Sequence, residues 1–210
     1  MTADSPDPSV RARLLEAVKA LEPDLLRLSR GLHADPELSL EEFRATARLQ
    51  ETLVAAGFDV GAGVAGLPTA FTARHETAGP GPRIAFLAEY DALPTIGHAC
   101  GHNLIAAASI GAGLALARIA NDLAGEIHVI GTPAEETVGG KCIMVREGIF
   151  ENIDAALMIH PGSEWRVEVD SLACISLEVT YLGREAHAVA WPEKGINALD
   201  ALVQLYVATD

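Results

Sequence analysis

The stretch "GHACGHN" at 97–103 places His98, Cys100 and His102 within five positions of a chain that has 3 cysteines and 7 histidines. A thiol and an imidazole two residues apart in a tight turn can hold one metal ion, because the ion acidifies the thiol and the thiolate then ligates. The same pair also fits a buried cysteine beside a helix-start histidine, or a thiol nucleophile with a distant partner. A second constellation is the carboxylate pair Glu135-Glu136 at the polar end of "GEIHVIGTPAEE". Adjacent carboxylates repel unless they share a cation or a proton. Neighbouring side chains point in different directions, so one acid can ligate while the other acts as a base. An acidic helix start is the plainer reading of the pair. His160 closes "ALMIHP" and, alone, is an ordinary strand-end histidine.

The elements that carry these residues explain why they belong together. "RIAFLAEYDAL", "GEIHVIGTPAEE" and "IDAALMIHP" each read as a buried strand. Between them lie "LIAAASIGAGLALA" and "GGKCIMVREGIF", which read as helices. Strands alternating with helices indicate an α/β domain with a mainly parallel sheet flanked by helices. Ligands of such sheets bind beyond the carboxyl ends of the strands. Asp91, Glu135-Glu136 and His160 all follow strand ends, so three strands aim polar groups at one edge.

The remaining texture sets the frame. "SVRARLLEAVKALEPDLLRLSRGLHADPEL" has apolar residues at helical spacing, and "SLEEFRATARLQETLVAAGFDV" reads as a second helix. Ser39 can cap it with Glu42 as its capping-box partner, and Gly57 can end it. "LPTAFTAR" is a further strand, and "MTADSPDPS" is of disordered composition. After about Asp170 the pattern changes. "SLACISLEVTYLGREAHAV" alternates like a half-exposed antiparallel strand, and "GINALDALVQLYVATD" is an amphipathic helix that runs to the last residue. The expected division is therefore 1–170 and 171–210, with the chain cut inside its second domain.

Composition narrows the function classes. Hydrophobic residues at 50% and charged ones at 21% are a globular balance. A net charge of −14 with scattered Lys and Arg argues against nucleic acid and anionic membrane surfaces. The longest apolar run, residues 104–117, is shorter than the roughly 20 residues of a membrane span. Three scattered cysteines and no apolar leader point to a reducing, cytoplasmic compartment.

Several motifs together resemble one family. "AEYDALPTIGHACGHN", "GTPAEETVGGK" and "MIHP", with "LHADPELSLEE" before and "GREAHAVAWPEKGINALDA" after, resemble the metal-dependent aminoacylase and glutamate-carboxypeptidase family of amidohydrolases. The nearest branch is the p-aminobenzoyl-glutamate hydrolase and β-alanyl-dipeptidase type. The resemblance runs from about Leu32 to Ala201. It implies a zinc-exopeptidase-like α/β domain followed by the start of an α+β lid and dimerisation domain, in a C-terminally truncated chain. It implies that Cys100, His102, Glu136 and His160 ligate a divalent metal, Zn or Mn, as one or two ions. Glu135 becomes the general base and Asp91 an acid that supports the ligands. His187, in "REAHAV", becomes an oxyanion-stabilising residue that reaches a partner subunit's site in a homodimer. Many relatives carry a metal-binding His where this chain has Glu89. The implied reaction is hydrolysis of an amide in an N-acyl amino acid, dipeptide or aminobenzoyl-glutamate-like small molecule. The other reading is an inactive fragment that binds at most a metal or a partner.

The other polar residues carry plainer expectations. His98 is a turn residue, His33 a structural one, His128 a core or opposite-face strand residue, and His75 a loop-surface residue. Cys142 and Cys174 are expected as small buried hydrophobes. Lys141 is either a ligand contact or a solvated helix-start residue.

Overall fold

A computed structural model describes residues 7–167, 175 and 177–209. It divides into two compact units, one ending at Ser163 and the other starting at Glu164. The N-terminal "MTADSP" lies outside the described residues.

In the first unit, α1 (Pro8–Ala34) opens on Asp7, whose side chain accepts from Ser9 N at 2.8 Å, with Pro8 in the first turn. The second helix, α2, spans Phe43–Ala55, and the left-handed Gly57 (φ 86°) follows its end. Strands β1 (Asp59–Ala62), β2 (Phe71–Glu76) and β3 (Arg83–Ala88) lead to α3 (His102–Ala117). Then come β4 (Glu126–Gly131), α4 (Gly140–Arg146) and β5 (Ala155–Leu157).

The five strands lie in the order β1-β2-β4-β3-β5. The site-bearing strands run parallel: β3 pairs with β4 on one side and β5 on the other. The antiparallel β2 and β1 extend the sheet, so it is mixed as a whole. Register sets the site. Ala88 pairs with Gly131 and Phe86 with Leu157, so three chains leave the sheet at one edge.

Side chains alternate across the sheet, as period two requires. Ala73, Ala88, Ile127 and Val129 pack under α1, α2 and α3, with Leu21, Leu32, Leu49, Leu53 and Ile110. Ala85 and Ile130 face the other way, onto Leu67 and Met144. Each fully buried Leu or Ile contributes about 1.5–3 kcal/mol. Because α3 is apolar on nearly every side, it is buried between α1 and the sheet.

Two expectations change here. "IDAALMIHP" does form β5, but its three residues are exposed, because β5 is an edge strand. His75 is on β2 rather than in a loop, its ring 5.1 Å from Phe58.

The second unit contains α5 (Ala198–Thr209) and a short helical turn at Pro192–Lys194. Among its described residues the expected antiparallel strand is reduced to one bridge, Arg184 with Ile196, closed by reciprocal hydrogen bonds of 3.0 and 2.9 Å. Part of that stretch, including Cys174, lies outside the described residues.

Candidate metal centre

His102 is the first residue of α3, and its ring is almost wholly buried. Its Nδ1 lies 2.9 Å from the Asp91 carbonyl and 3.0 Å from Asp91 Oδ1. With two acceptors there, Nδ1 carries the proton, and the lone pair of the neutral ring is on Nε2. Among the described residues that atom has no hydrogen-bond partner. Around it stand Glu89 Oε2 at 3.4 Å, Glu136 Oε1 at 3.7 Å and Glu135 Oε2 at 3.8 Å.

Local geometry builds this arrangement. Gly101, at φ 80°, turns the chain into α3, and a Cβ on it would sit 2.8 Å from Pro161 Cγ. A glycine therefore lets the His102 turn pack against the segment that carries His160. The His102 and His160 rings meet edge-to-face at 6.3 Å between centroids. His160 Nδ1 bonds the Pro161 carbonyl at 2.8 Å, which leaves its other nitrogen available.

Asp91 joins three segments. It holds His102, accepts from Glu136 N at 3.0 Å, and accepts from Ser39 Oγ at 2.9 Å. Glu42, at the N-cap position of α2, ties segments together in the same way. Its buried carboxylate accepts from Thr69 Oγ1 at 2.8 Å and from Ala134 N at 2.9 Å. Ala134 has φ 56°, a costly conformation for a residue with a Cβ. Glu42 thus fixes the strained residue just before Glu135. This corrects the expected capping box: Ser39 and Glu42 do not cap α2, which has Glu42 at its N-cap position but no side-chain cap bond.

Electrostatics favours a cation. Burial works against a charged His102, but the Asp91 hydrogen bond and the charges of Asp91, Glu89 and Glu136 outweigh it and raise its pKa. Burial raises the Asp91 pKa too, yet bonds from His102, Glu136 N and Ser39 hold it below the usual value. The Glu136 carboxylate, with some desolvation, holds the Cys100 thiol at about 11. A nucleophilic thiol needs the opposite shift. These are surroundings that reject a lone thiolate and accept a cation.

Among the described residues, two sets of donor atoms lie within 4.8 Å of one another: Glu89, His102 and His160, and His102, Glu135 and Glu136. The chain therefore brings together His102, Glu135, Glu136 and His160, with Asp91 behind them. Cys100 belongs to neither set and borders the cluster through Glu136. His187 lies in the second unit, where its Nδ1 accepts from Ala190 N at 3.1 Å at the start of a turn.

Glu89, which stands where many relatives carry a metal-binding His, was not among the expected ligands. An acid at the end of a buried strand, two positions before Asp91, was the available signal. The Lys141 ammonium pairs with Glu89 Oε1, a contact that neither expectation named. His98 is a buried turn residue whose pKa is lowered by burial and by the charges of His102 and His33. His128 is a half-buried residue of β4 bonded to Glu126 at 2.9 Å. Cys142 is exposed, against the expectation of burial, because α4 turns that face outward.

The family model for peptidase family M20/M25/M40 matches residues 85–207. This chain belongs to that family. The M20-family chain is 43% identical to the Xaa-Arg dipeptidase of Mus musculus, over 94% of its own length and 48% of that protein's. It is 37% identical to a p-aminobenzoyl-glutamate hydrolase polypeptide of Escherichia coli, over 83% of its length and 40% of that protein's. It thus spans less than half the length of either relative. Among solved structures, it is similar to a dinuclear metal-binding M20 peptidase of Bacillus subtilis. That match has a TM-score of 0.60 at 29% identity and covers 66% of this chain and 42% of the other. An aminobenzoyl-glutamate utilization protein of Klebsiella pneumoniae matches with a TM-score of 0.62 at 27% identity, over 71% and 46% of the two chains. Among the described residues of this family member, no helix is long and apolar enough to cross a membrane.

Proposed function

We propose that this M20-family chain carries the N-terminal part of a metal-dependent amidohydrolase. Residues 1–170 are its share of the catalytic domain, and 171–210 begin a lid and dimerisation domain. The observation that carries the reading is the partnerless, buried Nε2 of His102 facing three carboxylates at one sheet edge. Two acceptor types facing each other need a shared cation. Imidazole, carboxylate and thiol donors together suit Zn or Mn, with the thiol favouring Zn.

In this reading His102, Glu136, His160 and Cys100 hold the ion, and Asp91 orients His102 through its Nδ1 proton. A divalent ion bound there supplies Lewis-acid chemistry, acidifying water and polarising an amide carbonyl. Glu135 stands exposed at the rim of the cluster, where substrate arrives. It takes one proton as water attacks the carbonyl carbon. When the C–N bond breaks, Glu135 returns that proton to the leaving nitrogen and the second water proton stays on the new acid, yielding a carboxylic acid and an amine. His187, from a partner subunit of a homodimer, stabilises the oxyanion. The substrate class is an N-acyl amino acid, a dipeptide or an aminobenzoyl-glutamate-like amide, and the compartment is the cytoplasm.

The test is metal content by elemental analysis, followed by a hydrolysis screen over dipeptides and N-acyl amino acids, for wild type and Glu135→Gln. The expected result is bound Zn or Mn in both proteins, with hydrolysis at least about 100-fold lower in the variant. An active Glu135→Gln protein sinks the base assignment. Metal without hydrolysis in wild type leaves a metal-binding module.

A further inference from the structure

We infer that Glu89 is itself a metal ligand, binding through one oxygen while Lys141 holds the other. The inference rests on the metal reading above and extends it. The Glu89 side chain is only 2% exposed, yet its Oε2 has no hydrogen-bond partner. That oxygen lies 3.4 Å from His102 Nε2, the other buried atom without a partner in this cluster. Asp91 takes up His102 Nδ1, so the two buried atoms that face each other are Nε2 and Glu89 Oε2. Such a contact is repulsive unless a cation lies between the two atoms.

The separation tells which cation. A hydrogen bond between ring nitrogen and carboxylate closes to about 2.7–3.2 Å. Two ligands at about 2.1 Å from one tetrahedral ion stand roughly 3.4 Å apart. The observed spacing is that of co-ligands. His160 completes a set of three donors within 4.8 Å, contributed by the ends of β3 and β5 and the start of α3.

Lys141 explains how the oxygen is aimed. Its ammonium pairs with Glu89 Oε1, so that oxygen is occupied and the carboxylate cannot chelate with both. Lys141 is in the first turn of α4, and α4 reaches this position because Gly140 lies against Pro133. A Cβ on Gly140 would come within 2.0 Å of the Pro133 carbonyl oxygen. Lys141 is therefore a positioning residue, and Glu89 a ligand with one free oxygen.

The experiment measures Zn²⁺ affinity of the whole 210-residue protein by competition with a chromogenic chelator, and the visible spectrum of its Co²⁺ form. Wild type, Glu89→Gln and Glu89→Asp are compared. Gln keeps the shape and an oxygen for Lys141 but is a poor ligand, so the Zn²⁺ Kd should rise at least tenfold and the Co²⁺ bands should change. Asp keeps the charge but withdraws the oxygen by one methylene, so its affinity should fall between the two. Asp also decides the matter if Gln melts before metal is added: an Asp variant that binds as tightly as wild type overturns the inference. A Glu89→Gln protein with wild-type Kd and an unchanged Co²⁺ spectrum overturns it as well, and leaves the metal reading standing. Wild type that binds neither ion overturns both.

Discussion

The residues of the centre are linked by protonation as much as by distance. Cys100 is the sharpest case. With its thiol held at about 11 by Glu136, roughly 0.1% is thiolate at pH 8. In metal-free protein, iodoacetamide should therefore label the exposed Cys142 well before Cys100, as read by peptide mapping over time. Equal labelling would mean that the carboxylates do not control the thiol. Cys100→Ala should weaken metal binding, whereas lost activity at unchanged metal content would favour a nucleophile. Glu42 gives a second test, in pH. Burial raises its pKa above 4.5, against the bonds from Thr69 and Ala134. The folded chain then holds this proton to higher pH than the unfolded chain does. Its contribution is greatest at low pH and is lost as pH rises from about 4.5 through the folded value. Glu42→Gln cannot ionise, so denaturant midpoints should shift in favour of the variant as pH rises from about 4 to 7. Parallel curves for the two proteins would sink this account.

At the scale of elements, the strand and helix order could be read from the sequence because period and composition are local signals. The apolar run 104–117 became α3, and "GEIHVIG" became β4, at the expected places. Long-range pairing was not readable. The exposure of β5 depends on its being an edge strand, which no window of sequence encodes. The roles of Ser39 and Glu42 were hidden for the same reason. A Ser-x-x-Glu pattern fits a helix cap, yet the partners are Asp91, Thr69 and Ala134, all far along the chain. Glu135, Glu136 and His160 were readable as a group because each follows a strand end. Glu89 also follows a strand end, but its part in the group shows only with Lys141 and His102 beside it. The turn into α3 offers an element-scale prediction. Gly101→Ala forces a Cβ into a left-handed residue and against Pro161. It should cost about 1–3 kcal/mol in denaturant unfolding and weaken metal binding by moving His102 from His160. A variant as stable as wild type would show that this packing is not tight.

At the scale of the whole molecule, two surface properties oppose each other. A net charge of −14 keeps copies apart. Each unit nevertheless exposes apolar surface: Leu157, Met158 and Ile159 at the β5 edge in one, and Leu202, Val203 and Tyr206 on α5 in the other. The β5 edge is the greater hazard, since among the described residues it also offers unpaired backbone donors and acceptors to another strand. Charge repulsion acts over a screening length of about 8 Å at physiological salt, while apolar contact and strand pairing are not screened. Attraction should therefore win as salt rises. Light scattering on the purified chain should show self-association that grows with both protein and salt concentration. Leu157→Lys puts a charge on the apolar edge, at a site 50% exposed, and should reduce that association while shifting stability by no more than about 0.5 kcal/mol. If Leu157→Lys associates as wild type does, α5 rather than β5 is the surface that drives it, and Tyr206→Lys should then have the larger effect.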